Sequence, residues 1–194
     1  MIYIHLLQLI ILFFVIIDPF ASFVIFLTAT EKMNNSERNR AAVLAVLIAL
    51  LISFIVLIFG QNILNLLDTS IENFKVAGGI ILSLLGIKMA LGYSLTDSHL
   101  NKKESVNAIA CLIATPLLTG PATITAIIIS SEEYGMISTG IALLIVFLIS
   151  AIILLLSSKL KKITGPTTIQ ILSTILGLVT LAWGVTFIRA GLGI

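Results

Sequence analysis

The chain has 194 residues, 59% of them hydrophobic and 10% charged, with a mean hydropathy of +1.20 and a net charge of +2. These values lie far outside the range of water-soluble domains and describe an integral membrane protein. So small a charge, spread over several loops, excludes an electrostatic nucleic-acid binder, and a single cysteine, Cys111, excludes an internal disulfide.

The first apolar run, residues 2–30, has no basic start and no small-residue cleavage pattern, so it is expected to stay as the first membrane helix. As one helix it would reach about 44 Å against about 30 Å of hydrocarbon. Asp18-Pro19 interrupts it. Proline removes an amide donor and pushes the preceding residue out of helical geometry, while aspartate followed by proline is also a good helix start. One helix therefore ends near Ile17 and another begins at Pro19. Asp18 is the one carboxylate deep in an apolar run. Two readings stand side by side: a plain N-cap for the amides of Phe20 and Ala21, or a group facing a polar cavity where it binds an ammonium or coupling cation or takes up a proton.

Further apolar segments follow at 41–59, 71–92, 107–131, 136–158 and 167–192, each long enough to span, and no loop between them is long enough for a second domain. The first, third and fifth connections carry Lys32, Arg38 and Arg40, then Lys102 and Lys103, then Lys159, Lys161 and Lys162; the opposite side has Lys75 and Arg189. Retention of Lys and Arg on the cytoplasmic side puts both termini outside. Tyr3, Tyr93 and Tyr134 fall near segment ends and read as interfacial anchors, Glu132 and Glu133 as solvated loop charges, and His5 and His99, on opposite faces, do not suggest a metal pair.

Gly120-Pro121 repeats the first interruption inside the fourth segment, with a cap that has no side chain. The two halves align in one register: Pro19 with Pro121, Thr28 with Ser130, Ser53 with Ser150, Gly79 with Gly177, and Gly86 with Gly184. Three spans per half make the second copy enter from the opposite side. The expected architecture is a single all-α membrane domain over 1–194, six transmembrane helices in two inverted three-helix repeats (about 1–92 and 107–194), with helices 1 and 4 discontinuous. Such folds place the substrate near mid-membrane at the broken helices. The stripes Gly79, Ser83, Gly86, Ala90 and Gly177, Gly184, Gly191 read as close packing of the third and sixth helices.

Pro19 and Pro121 free the carbonyls of Val15 and Leu117, and the half-helix starts at Phe20 to Ser22 and Ala122 to Ile124 present unpaired amides and positive dipole ends. The candidate substrate-binding residues are Asp18, Phe20, Ala21, Ser22, Thr119, Gly120, Ala122, Thr123, Ile124 and Thr125, with the Gly120–Thr125 end expected to hold a carboxylate and Asp18 to face an ammonium. The hydroxyls of Thr115, Thr119, Thr123 and Thr125 read either as local helix repair or as ligands, with Thr119 and Thr123 the better candidates. Pro116 either adds a second kink or bends the entering half-helix.

Three stretches, DPFASFVIFLTAT at 18–30, VAGGIILSLLGIKM at 76–89 and ATPLLTGPATITAII at 114–128, resemble the MarC family of six-helix membrane proteins, which includes SnatA-type transporters. The resemblance implies three-plus-three inverted repeats, broken first and fourth helices, and transport of glycine, alanine or similar neutral amino acids coupled to protons or sodium. Where the family pattern shows glycine then asparagine after Asp-Pro-x, this chain has Ala21 and Ser22; where glycine commonly follows Gly-Pro, Ala122 stands. The added methyl groups narrow a site that depends on backbone approach.

For an enzyme the sequence offers little: it has no HExxH, GxSxG, CxxC or Walker A pattern. The expected function is secondary transport of small neutral amino acids by alternating access in a prokaryotic cytoplasmic membrane, with the bilayer and the amino acid as partners. No metal or cofactor is expected beyond a coupling H+ or Na+. An exporter of amino acids or other small metabolites, and a non-transporting channel or regulatory protein, are the alternatives.

Overall fold

The computed structural model describes residues 2–30, 32–66, 68–91, 105–157 and 166–194, and no strand occurs among them. Lys102, Lys103, Lys159, Lys161, Lys162, Tyr93 and His99 lie outside the described residues. Eight α-helices are described: α1 (Ile2–Ile17), α2 (Pro19–Ala29), α3 (Asn35–Leu66), α4 (Ile71–Ala90), α5 (Val106–Leu112), α6 (Pro121–Tyr134), α7 (Met136–Leu155) and α8 (Pro166–Leu192). Five stretches among them are long and apolar enough to cross a membrane: Ile4–Leu27, Asn35–Leu66, Ile71–Ala90, Met136–Leu155 and Thr174–Leu192.

The fourth expected span is divided into α5, a wide turn over Ile113–Leu118 and α6, so no single piece reaches spanning length. The sequence points to an interruption at Gly120-Pro121, yet the backbone leaves helical geometry as early as Thr115 (φ −134°, ψ 116°). Pro116 is the cause, because its ring disfavours the helical region for the residue before it. The chain recovers through wide hydrogen bonds: the Thr119 amide donates to the Ala114 carbonyl, five residues back, at 2.9 Å.

Helix α3 is also longer than its apolar core of 41–59. Its start is fixed by a capping box that polar residues disguised as loop: the Glu37 amide donates to Asn34 Oδ1 at 2.9 Å, and the Asn34 amide donates to Glu37 Oε2 at 3.0 Å. Asn34→Ala is expected to cost about 1 kcal/mol. Chemical unfolding of the purified protein in detergent checks this; an unchanged midpoint would mean that the box contributes nothing.

The packing of α3 is inverted relative to a water-soluble helix. Its buried face is mostly small, with Ala41, Ala42, Ala45, Ala49, Ser53 and Gly60, whereas Val43, Leu47, Leu51, Ile55 and Ile58 are exposed. Lipid provides no hydrophobic drive between helices, so association rests on close approach of small faces while large side chains meet the acyl chains.

Helices α4 and α8 form the most extensively packed pair. A Cβ added to Gly79 would lie 2.6 Å from the Gly184 carbonyl oxygen, one on Gly86 would lie 2.6 Å from that of Gly177, and one on Gly191 would lie 2.5 Å from that of Glu72. These pairings run in opposite directions along the two helices, which are therefore antiparallel. Each glycine is needed because backbone meets backbone there.

Candidate substrate cavity at the two helix starts

Asp18 stands alone between α1 and α2, in the left-handed region at φ 40°. Hydrogen bonding nonetheless bridges it: the Asp18 amide donates to the Phe14 carbonyl at 3.2 Å, and the Ser22 amide donates to the Asp18 carbonyl at 3.1 Å. The interruption is thus a one-residue kink. Proline at 19 leaves the Val15 carbonyl without its helical donor. The Asp18 side chain does cap α2, with Oδ1 accepting from the Ala21 amide at 3.2 Å. Its other oxygen, Oδ2, is buried and has no partner among the described residues. The residue as a whole is 3% exposed. A carboxylate oxygen left so deep in an apolar interior is costly unless something comes to meet it.

Helix α6 begins differently. Gly120 is its N-cap in extended geometry (φ −71°, ψ 175°), Pro121 follows, and no side chain caps the first turn. The amides of Ala122 and Thr123 are first-turn donors with no intrahelical partner by construction, and the positive end of the helix dipole lies beside them. Both residues are buried. This is the geometry that receives an anion, and burial strengthens it by excluding competing water.

The two starts border one cavity of about 150 Å³, lined in part by Asp18, Ala21, Ser22, Gly120, Pro121, Ala122 and Thr123. A cavity of about that size accommodates a benzene-sized molecule. The three departures from the family pattern, Ala21, Ser22 and Ala122, all face it. The other sequence candidates lie elsewhere. Phe20 is half-buried and packs edge-on against Phe14 with ring centroids 5.9 Å apart. Pro19, Thr119, Ile124 and Thr125 are not on the cavity wall.

The threonine hydroxyls act chiefly on the local backbone. Thr115 Oγ1 donates to the Cys111 carbonyl at 3.0 Å, Thr119 Oγ1 to Ala114 at 2.7 Å, Thr123 Oγ1 to Leu118 at 3.2 Å and Thr125 Oγ1 to Pro121 at 2.9 Å. Thr123 reaches the carbonyl that Pro121 and the extended Gly120 leave outside α6, whereas Thr119 shares the Ala114 carbonyl with its own amide and Thr125 back-bonds within α6. Thr123 alone among them also lines the cavity, where its oxygen lone pairs remain open to a donor. Thr125 instead fills the space against Gly78 of α4.

Sequence reasoning missed the apolar part of the wall, formed by Ile81, Leu85 and Met89 of α4 together with Ile16, Ile17 and Leu117. The available signal was spacing: 81, 85 and 89 recur every four residues and so share one helix face. It also missed the pairing at one end of the bundle. There Lys75 Nζ meets Glu133 Oε1 at 2.6 Å, Gln61 bonds Glu132, and the His5 and Tyr134 rings lie 5.7 Å apart. Among the described residues no cluster of His, Cys, Asp and Glu is arranged to hold a metal ion.

A model of the MarC family of integral membrane proteins matches residues 3–193. A UPF0056 membrane protein of Methanocaldococcus jannaschii is 32% identical over 187 residues, which cover 92% of this chain and 91% of that one. One from Archaeoglobus fulgidus is likewise 32% identical over 187 residues (92% and 88%), and one from Buchnera aphidicola is 30% identical over 187 residues (92% and 87%). No solved structure matches the chain.

Proposed function

The chain belongs to the MarC family of integral membrane proteins, and from that premise we propose that it is a SnatA-type secondary transporter of small neutral amino acids such as glycine and alanine. One observation carries the reading. A buried carboxylate with an unpartnered oxygen and an uncapped helix start border the same small cavity. An amino-acid zwitterion has the complementary pair of ends. Its ammonium meets Asp18 Oδ2, and its carboxylate meets the amides of Ala122 and Thr123 with the dipole of α6. Neither isolated cations nor isolated anions satisfy both.

An inverted repeat supports alternating access around that site. In the register of the two halves Gly79 corresponds to Gly177 and Gly86 to Gly184, while Gly79 approaches Gly184 and Gly86 approaches Gly177. Exchanging the halves therefore maps one contact onto the other, which is what an isologous, two-fold-related interface would require. With α5, the wide turn and α6 taken as one broken span, the halves have three spans each, and the cavity lies at the starts of their two corresponding half-helices. The lysine and arginine distribution supports termini on the outer side of the membrane, which we take to be a prokaryotic cytoplasmic one. Asp18 is the one carboxylate among the described residues that line the cavity, so the substrate ammonium and a coupling H+ or Na+ would occupy it in turn rather than together.

Uptake of labelled glycine and alanine into proteoliposomes under an imposed proton or sodium gradient tests the proposal. Transient accumulation above equilibrium is expected. Flux that only equilibrates would replace the transporter with a channel, and no uptake of either amino acid by folded protein under either gradient would remove this substrate class.

A further inference from the structure

Once the ammonium and carboxylate of a zwitterion are assigned to Asp18 and the α6 start, the rest of the cavity wall is largely apolar. Ile16, Ile17 and Leu117 belong to the broken segments themselves and adjoin the polar groups in sequence. The remaining lining is supplied by a separate helix, α4, through Ile81, Leu85 and Met89. A substrate anchored by its polar ends therefore projects its side chain toward α4. We propose that Leu85 and Met89 are the specificity-determining residues of this site, setting the largest side chain that the cavity admits and restricting it to small aliphatic groups. This rests on the amino-acid reading above.

Two features make that wall a firm limit rather than a yielding one. Met89 is 1% exposed. Behind it, a Cβ on Gly177 would lie 2.7 Å from the Met89 Cβ, so α8 backs the base of the methionine at backbone distance. The second feature is the antiparallel glycine contact between α4 and α8, which prevents the helix from moving back as a body. With both ends of the zwitterion held, the remaining volume in a cavity of about 150 Å³ is filled by a side chain of one or two carbons.

The test compares proteoliposome uptake of alanine and leucine by wild type, Met89→Ala, Leu85→Ala and Ile87→Ala, each first shown to be monodisperse. Ile87 lies on the same helix but is exposed, and it serves as the control for general loosening of α4. One methylene in an apolar pocket discriminates by about 10-fold or more, so the leucine-to-alanine ratio is expected to rise at least about 10-fold in Met89→Ala and in Leu85→Ala and to stay at the wild-type value in Ile87→Ala. If Met89→Ala does not fold, Leu85→Ala decides alone. Alanine uptake by wild type with an unchanged ratio in the folded wall variants would overturn the inference and leave the transporter reading intact. An equal rise in Ile87→Ala would overturn it too. A wild type that takes up neither amino acid would bring down the transporter reading and this inference with it.

Discussion

Gly86→Val should yield almost no folded, monodisperse protein. A Cβ at this position would lie 2.5 Å from the Leu181 amide nitrogen, 2.6 Å from the Gly177 carbonyl oxygen and 2.9 Å from the Leu181 Cα. All three are backbone atoms, so no rotamer change relieves the overlap. Only separation of α4 from α8 does, and that opens the most extensively packed interface in the protein. Overpacking a well-filled interior costs about 1–3 kcal/mol where side chains can adjust; valine against fixed backbone exceeds that, a large share of a typical stability of about 5–15 kcal/mol. Gly140→Ala is the contrasting substitution. Its nearest neighbour is Leu57 Cδ2, at 3.3 Å, the end of a side chain that can shift by the small amount needed. Size-exclusion profiles of tagged protein extracted in mild detergent should separate the two sharply. A normal Gly86→Val profile would mean that the α4–α8 approach is not as close as described.

Asp18→Asn is expected to leave the fold in place and to reduce amino-acid uptake about 100-fold or more. Asparagine keeps an oxygen able to accept from the Ala21 amide, and it tolerates the left-handed backbone that residue 18 adopts. What it lacks is charge. Removing one partner of a buried ion pair costs about 3–5 kcal/mol, which corresponds to two or more powers of ten in affinity. Asp18→Ala removes the cap as well and should lower both uptake and stability, so the pair of variants separates the capping role from the binding role. Binding measured by thermal shift and uptake measured in proteoliposomes should fall together in Asp18→Asn. Unchanged affinity and unchanged dependence on the coupling gradient in a folded Asp18→Asn would end the assignment.

How far the sequence was readable depended on whether a feature had a chemical marker. Proline and aspartate inside an apolar run are conspicuous because a bilayer penalises them, so the interruptions at 18–19 and 120–121 could be found without coordinates. The glycine spacing of 79, 86, 177 and 184 was equally plain, and backbone contact is its physical reason. Apolar residues have no such marker. Nothing in the identity of Leu85 or Met89 distinguishes a cavity wall from a lipid-facing position such as Leu84, which is 59% exposed. Thr119, Thr123 and Thr125 are chemically alike, and only the path of the wide turn decides that Thr123 alone reaches the cavity. The start of α3 was hidden for a third reason: Asn34 and Glu37 form a reciprocal cap, but in a run of polar residues they also read as a loop.

The meeting of α4 and α8 has a mechanical meaning as well. Side-chain interfaces can reorganise because rotamers offer more than one way to fill the same space, and bistable packing of that kind is what lets proteins switch. Where Gly79 faces Gly184 and Gly86 faces Gly177, the contact is backbone to backbone and offers no rotamers of its own to exchange. It acts as a keel: stiff, with a single fitting. Relative movement within the bundle is then left to α1, α2, α5 and α6, which border α3, α4 and α7, and the keel is the fixed reference against which their displacement would be measured.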